Sequence, residues 1–345
     1  MTSGESVTVA ADQKRPRGLA AVLRSQMRNI APFLTLICLF SFFAVASPSF
    51  ATLDNFGNIL TQISVTGIIA VGLTFVILCA EIDLSIAAIA NVTGIAVAYF
   101  TLQDSYVNIA NVPMPGWAAI LLALALCALL GLVNAFGLTV IGIPSFIMTL
   151  AMMQIAAGIS ALLVRGQIAY KVPPLVTTLG STSIGGIPWL VIVAALMLLG
   201  GHLVLTYTRF GRYVYMVGGN REAAEYSGIN VKLILGSVMV ISAVCAGIGG
   251  MLGVAHFGSA QQNEFDTYLL DSIAAVVVGG TAVSGGRGSL TGTLAGVALL
   301  ATVGPALTFL GAPAAWERAL QGAIILIAVS AEGFSRARGL KERHA

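Results

Sequence analysis

Two carboxylates interrupt an otherwise apolar stretch, Ala80-Glu81-Ile82-Asp83-Leu84-Ser85. Charged groups between hydrophobic runs are costly unless they reach water, a partner or a cavity. The pair therefore reads either as an ion site on a pathway or as a tight turn in which Asp83 caps the next helix. A proton relay would want a basic neighbour, and the sequence places no His, Lys or Arg beside them. A second candidate runs from Asp271 through Gly279-Gly280-Thr281 to Ser284-Gly285-Gly286-Arg287-Gly288-Ser289. Paired glycines permit sharp turns and close helix approach. The segment reads as a broken helix or re-entrant turn, with Gly279, Gly280, Gly285, Gly286 and Gly288 as hinge or close-packing positions. A glycine-rich loop also suggests phosphate binding, but the pattern G-x-x-x-x-G-K-[ST] is absent throughout, which excludes ATP binding by that loop.

The third candidate is the polar loop 208–232, which carries Gly211 and Arg212 and then Gly218-Gly219-Asn220-Arg221-Glu222-Ala223-Ala224. Asn220 suits a helix N-cap, and Glu222 then complements the helix dipole. Ala223 and Ala224 are small helix formers, and Gly228 suits a stop. The expected product is a short helix with a small apolar side. It either docks into a groove on a partner or is an ordinary loop helix.

Scattered polar residues, Gln62, Asn91, Asn134, Thr149, Gln154 and Ser160, lie within apolar runs. In lipid they either bind a neutral hydroxyl-rich solute or hydrogen-bond helix to helix. His202, His256 and His344 stand in no arrangement of nucleophile and base, so no catalytic residue is expected. Cys38, Cys79, Cys127 and Cys245 are far apart in apolar runs, which reads as packing and not as a disulfide or metal site. No metal or other cofactor is expected on this chain.

The elements that must position these groups follow from composition. Of 345 residues, 57% are hydrophobic and 9% charged, whereas a soluble domain carries about 25% charged. There is too little charge for a water-facing surface, so the apolar surplus must face lipid. Lipid-crossing helices need about 20 mostly apolar residues. Such runs fall near 29–47, 57–80, 84–101, 117–138, 145–164, 187–207, 233–255, 267–283, 288–309 and 316–333. The fold class is all-α, a polytopic transmembrane helical bundle of about ten spans. With the N-terminus inside, only Arg165, Lys171 and Arg318 of the 17 basic residues fall on outer segments. Basic residues concentrate on the cytoplasmic side, so both termini are expected to be cytoplasmic. The chain divides into a tail at 1–28, a transmembrane domain at 29–335 with its inner loop at 208–232, and a tail at 336–345. Ile69–Ser85 and Ile273–Ser289 are weakly alike, each running apolar into a polar break. Paired breaks of this kind often mark a transport pathway.

The sequence resembles the membrane permease subunits of bacterial ATP-binding-cassette importers for ribose, xylose, arabinose, galactose and related sugars. The resemblance covers roughly residues 30–335. It is carried by Glu81-Ile82-Asp83-Leu84-Ser85 and by Ile143-Pro144-Ser145-Phe146-Ile147-Met148-Thr149-Leu150. Next come Phe210-Gly211-Arg212 and Gly218-Gly219-Asn220-x-x-Ala223-Ala224-x-x-Ser227-Gly228-Ile229. Last are Ile273-Ala274-Ala275, Gly279-Gly280-Thr281 and Ser284-Gly285-Gly286-Arg287-Gly288. The family commonly has two glycines before its Ile-Asp-Leu-Ser, where this chain has Ala80 and Glu81, and a glycine soon after it, where Ile86-Ala87-Ala88 stands.

The resemblance implies a non-catalytic subunit that pairs as a homodimer or heterodimer. It also implies a separate cytoplasmic ATPase, which binds ATP and Mg, and a periplasmic or lipid-anchored sugar-binding protein. Gly211, Arg212, Asn220, Glu222, Ala223, Ala224 and Gly228 then couple to the ATPase. Asp83, Ser85, Asn91, Phe146, Thr149, Gln154 and Asp271 are the candidates for the translocation pathway. The expected location is the bacterial inner membrane and the expected cargo a sugar or sugar alcohol. The rival reading is an ion-coupled secondary transporter that uses Glu81 and Asp83.

Overall fold

The computed structural model describes residues 19–47, 50–101, 114–170, 172, 174–313, 315–327 and 330, with side chains from residue 33 onward. The tail residues 1–18 and 336–345 lie outside the described residues. The described chain is helical nearly throughout. Its helices are α1 Leu19–Ala46, α2 Leu53–Leu78, α3 Ile86–Thr101, α4 Gly116–Phe136, α5 Ser145–Val164 and α6 Pro174–Ser181. Then follow α7 Trp189–Tyr207, α8 Arg209–Gly219, α9 Arg221–Tyr226, α10 Val231–Phe257, α11 Asp266–Val278 and α12 Leu290–Phe309. A last helix, α13, covers 315–327. A π-helical turn, Gly137–Ile141, extends α4.

All ten apolar runs contain helix, and six of the helices are long and apolar enough to cross a membrane: α2, α4 with its π turn, α5, α7, α10 and α12. The other runs differ from expectation in instructive ways. α1 covers Leu19–Ala46, so residues 19–28 of the expected tail are helical; Leu, Ala, Arg, Gln and Met there are good helix formers whatever their polarity. α3 has 16 residues and α11 has 13. At 1.5 Å per residue they reach about 24 and 20 Å, short of a hydrocarbon core of about 30 Å. α11 is short because its backbone leaves the helix at Gly279, before the apolar run ends, and α3 begins only at Ile86, after the break at Glu81–Ser85.

α10 is the hub, packing against α2, α3 and α4. Small residues make this possible. A Cβ on Gly250 would lie 2.1 Å from the Ala90 carbonyl oxygen, so α10 and α3 touch backbone to backbone there. α2 is buried over most of its length, whereas α7 lies at the periphery. Leu121, Leu129, Leu132, Leu162, Leu196 and Leu199 are exposed, as lipid-facing side chains are. Cys79, Cys127 and Cys245 are buried in the packed interior.

The connections sort into two groups. In the first, β1 (Ala169–Tyr170) pairs antiparallel with β4 (Ser259–Ala260), Ala169 facing Ala260. β2 (Ser183–Ile184) and β3 (Ile187–Pro188) form a hairpin between α6 and α7. In the second, the ends of α2, α8 and α11 meet. Connections expected on the outer face thus join one another, and those expected on the inner face join one another.

Candidate functional site: the break, the polar core and the helix pair

The break after α2 is built by its helix cap. The amides of Ala80 and Glu81 return to the Ile77 and Val76 carbonyls at 2.9 and 3.2 Å. Ala80 takes a left-handed φ of +59° to do so, a conformation that costs a residue with a Cβ about 1 kcal/mol. α11 ends in the same way: Gly280 and Thr281 return to Val277 and Val276 at 2.9 and 3.1 Å, and Gly280 has φ +90°. The likeness between the two segments is therefore one of backbone geometry as well as sequence. The two turns touch, since the Gly286 amide donates to the Leu78 carbonyl at 2.9 Å. The Thr74 and Thr293 hydroxyls, 3.0 Å apart, link α2 to α12.

From Glu81 to Ser85 the chain is non-helical, and the backbone of Glu81, Ile82 and Ser85 is anchored by hydrogen bonds. The Ile82 amide donates to Ser145 Oγ at 3.3 Å. The Thr149 hydroxyl sits between two carbonyls, that of Ser145 at 2.8 Å and that of Ile82 at 3.3 Å. Asp83 is fully buried. Its Oδ1 accepts from the Ser85 amide at 2.9 Å and the Ser85 hydroxyl at 2.6 Å, and its Oδ2 from the Ser242 hydroxyl at 2.7 Å. Asn134 Nδ2 donates to Ser85 Oγ at 3.0 Å. One carboxylate thus ties the break to α10 directly and to α4 through Ser85. Such irregular backbone is tolerated at membrane depth only when covered by protein, and this network supplies the cover.

Glu81 goes elsewhere. It is buried, and its Oε1 lies 2.5 Å from Arg221 Nη2 at the start of α9. The sequence shows no basic residue near the two acids; the fold brings one from 140 positions away.

The loop 208–232 forms two helices where one was expected. Thr208 caps α8, its hydroxyl oxygen accepting from the Gly211 amide at 3.1 Å. α8 buries Gly211, Val214, Val217 and Gly218, and Phe210 stacks on Phe75 with centroids 6.3 Å apart. The Tyr215 hydroxyl donates to the Gly288 carbonyl at 2.9 Å; burial pushes its pKa up and keeps it a neutral donor. Asn220 ends α8 and begins α9, its Oδ1 accepting from the Ala223 amide at 2.9 Å. Gly228, at φ +79°, closes α9, and the Ile229 amide returns to the Ala224 carbonyl at 3.1 Å. Ala224 and Ile229 are buried. Arg212, Glu222, Ala223 and Tyr226 face outward, and Tyr226 is 91% exposed.

The pathway candidates do not form one cluster. Asp83, Ser85 and Thr149 come together at the break, joined by Asn134, Ser145 and Ser242. Asn91 lies on α3 and turns to the first turn of α11, where it accepts from the Phe265 amide and donates to Asp266 Oδ1, both at 2.9 Å. Asp271 stands on α11, half-buried, among Tyr268 and Glu317. Phe146 and Gln154 are exposed on α5. Ser145, Ser242 and Arg221 carry much of this geometry and were not singled out in the sequence; an isolated serine or arginine gives no local signal.

The fold and these paired breaks define a polytopic helical membrane protein whose irregular segments are held inside the bundle, the architecture of a transport protein. Residues 55–329 match the family described as branched-chain amino acid transport system / permease component, and the chain belongs to that family. It is 34% identical over 300 residues to the ribose import permease protein of Escherichia coli strain K12, covering 86% of this chain and 91% of that one. It is 33% identical over 321 residues to the galactose/methyl galactoside import permease protein of the same strain, covering 89% and 94%. It is 34% identical over 308 residues to the ribose import permease protein of Bacillus subtilis strain 168, covering 88% and 92%. No solved structure matches. The chain is a multi-pass permease of the bacterial inner membrane, of the sugar-import type.

Proposed function

We propose that this chain is the membrane-spanning subunit of an ATP-driven importer, carrying a sugar or sugar alcohol inward by alternating access. About ten segments cross the bilayer with both termini cytoplasmic, in keeping with the bias of basic residues. The chain works with a second permease subunit, a separate ATPase that binds ATP and Mg, and a solute-binding protein outside. The observation that carries the reading is α9. It is a capped helix anchored by Ala224 and Ile229 that leaves Ala223 and Tyr226 bare. A small residue beside a rigid aromatic suits docking into a groove, where tyrosine is a common anchor.

Gln154 supports a path between subunits. An exposed amide on a membrane-spanning helix is costly against lipid, so this face of α5, with Phe146, is assigned to the solute path or the partner subunit. The import reading predicts uptake that stops when the ATPase is deleted and survives an uncoupler while ATP lasts. Uptake that collapses with the uncoupler at constant ATP would instead support the ion-coupled reading. That reading is weakened by the state of its two acids, since Glu81 is held in an ion pair and Asp83 is sealed by three donors.

A further inference from the structure

We infer that Glu81 and Arg221 form the strut that carries movement of α9 into the membrane-embedded part of the protein. The inference rests on the ATP-driven reading above.

Theirs is the one ion pair among the described residues, with N and O 2.5 Å apart. It joins two elements of different kind. Arg221 opens α9, the short helix whose other face is bare. Glu81 opens the non-helical break after α2. The positions are electrostatically matched. A cation at the first residue of a helix opposes the helix dipole, and an anion there complements it. Arg221 alone would weaken the start of α9; the Glu81 carboxylate beside it cancels that charge. Glu81 in turn is buried, with a side chain 8% exposed against 47% for Arg221. A buried carboxylate needs a partner, and Arg221 is its ion-pair partner.

The path beyond Glu81 is short and stiff. The next residue, Ile82, is bonded at its amide to Ser145 and at its carbonyl to Thr149, both in the first turns of α5. The residue after it, Asp83, is bonded to Ser242 of α10. From α9 to α5 there are thus one ion pair, one peptide unit and two hydrogen bonds. Phe146 and Gln154, the exposed pathway candidates, ride on that same helix. Other ties from this region run from α8, not α9, to the end of α2 and the glycine turn: Cys79 Sγ donates to the Val214 carbonyl, Gly218 packs on the Leu78 carbonyl, and Tyr215 bonds Gly288. Ala224 and Ile229 hold α9 in place but reach neither α5 nor the break's backbone by any described hydrogen bond. The pair therefore sets how α5 follows α9.

The test uses the complete transporter in proteoliposomes, permease with its ATPase and binding protein, and reads solute taken up per ATP hydrolysed. Glu81→Gln and Arg221→Gln should each lower that ratio by about tenfold, within the usual range of coupling between sites. The ATPase should still co-purify and keep its basal hydrolysis. The double variant should be no worse than either single one, and Arg221→Lys should retain most of the ratio. Unchanged ratios in both single variants would overturn the strut. So would loss of the ATPase from Arg221→Gln but not from Glu81→Gln, which would make Arg221 a docking contact. If a glutamine variant fails to fold, Arg221→Lys against Arg221→Met gives the same comparison, and equal ratios refute the strut. The wild-type complex controls for the import reading: absence of ATP-dependent uptake there refutes that reading and the strut together. Normal wild-type uptake with unaltered variants refutes the strut alone.

Discussion

Replacing Gly218 by alanine probes the junction of α8, the end of α2 and the glycine turn before α12. A Cβ at Gly218 would lie 1.7 Å from the Leu78 carbonyl oxygen and 2.8 Å from the Gly286 amide nitrogen. Ordinary contact begins near 3.4 Å, so one methyl group forces a separation of more than about 1.5 Å, and no side chain is present to yield in its place. Overpacking of this kind costs about 1–3 kcal/mol. The Leu78 carbonyl also accepts the Gly286 amide at 2.9 Å; breaking that bond inside the bundle adds about 1–3 kcal/mol for the orphaned groups. The sum is on the order of 2–6 kcal/mol. Gly219, its neighbour, has nothing within 4 Å of a Cβ, so Gly219→Ala should be neutral or gain up to about 1 kcal/mol of helix propensity. Thermal denaturation of the purified permease, with uptake measured in parallel, separates the two. Gly218→Ala should melt well below wild type and transport poorly, while Gly219→Ala should match wild type. Equal melting of Gly218→Ala and wild type, or equal loss in both variants, would refute the packing argument.

Three further outcomes are expected. Ala223→Arg should fold normally yet lose ATP-driven uptake, whereas Ala224→Arg should destabilise α9, because Ala223 is exposed and Ala224 is buried; melting curves beside uptake assays distinguish them. Asp83→Asn should destabilise by about 1–3 kcal/mol, since an amide offers one acceptor where the carboxylate serves donors on both oxygens, and an unchanged melting midpoint would count against the anchoring role. Ala80→Gly should raise stability by about 1 kcal/mol by relieving the left-handed φ of +59°; a lower midpoint would show that the Ala80 methyl contributes more by packing than it costs in strain.

What could be read directly from the chain was local or statistical. Membrane character follows from too little charge to clothe a soluble surface. The cap at Asn220 and the stop at Gly228 depend on bonds spanning only a few residues, to the Ala223 amide and within Ala224–Ile229, so residue type and spacing suffice. The breaks at Glu81–Ser85 and Gly279–Ser289 were likewise visible as polar interruptions, and so was their mutual likeness. The helix count was harder, since apolarity continues past Leu78 and Val278 where the backbone does not.

Tertiary structure decided the roles within those segments. Glu81 and Asp83 are two residues apart and look like a pair, yet one binds Arg221 and the other Ser242, at separations of 140 and 159 residues. Gly218 and Gly219 are alike in sequence, but only the first meets a carbonyl. Asn91, grouped with the break by chemistry, serves the start of α11 instead. The physical reason is the same in each case. In a bundle with few charges, a polar group's function is set by whichever donor or acceptor packing brings within hydrogen-bond reach, and that choice is made between helices, not along them.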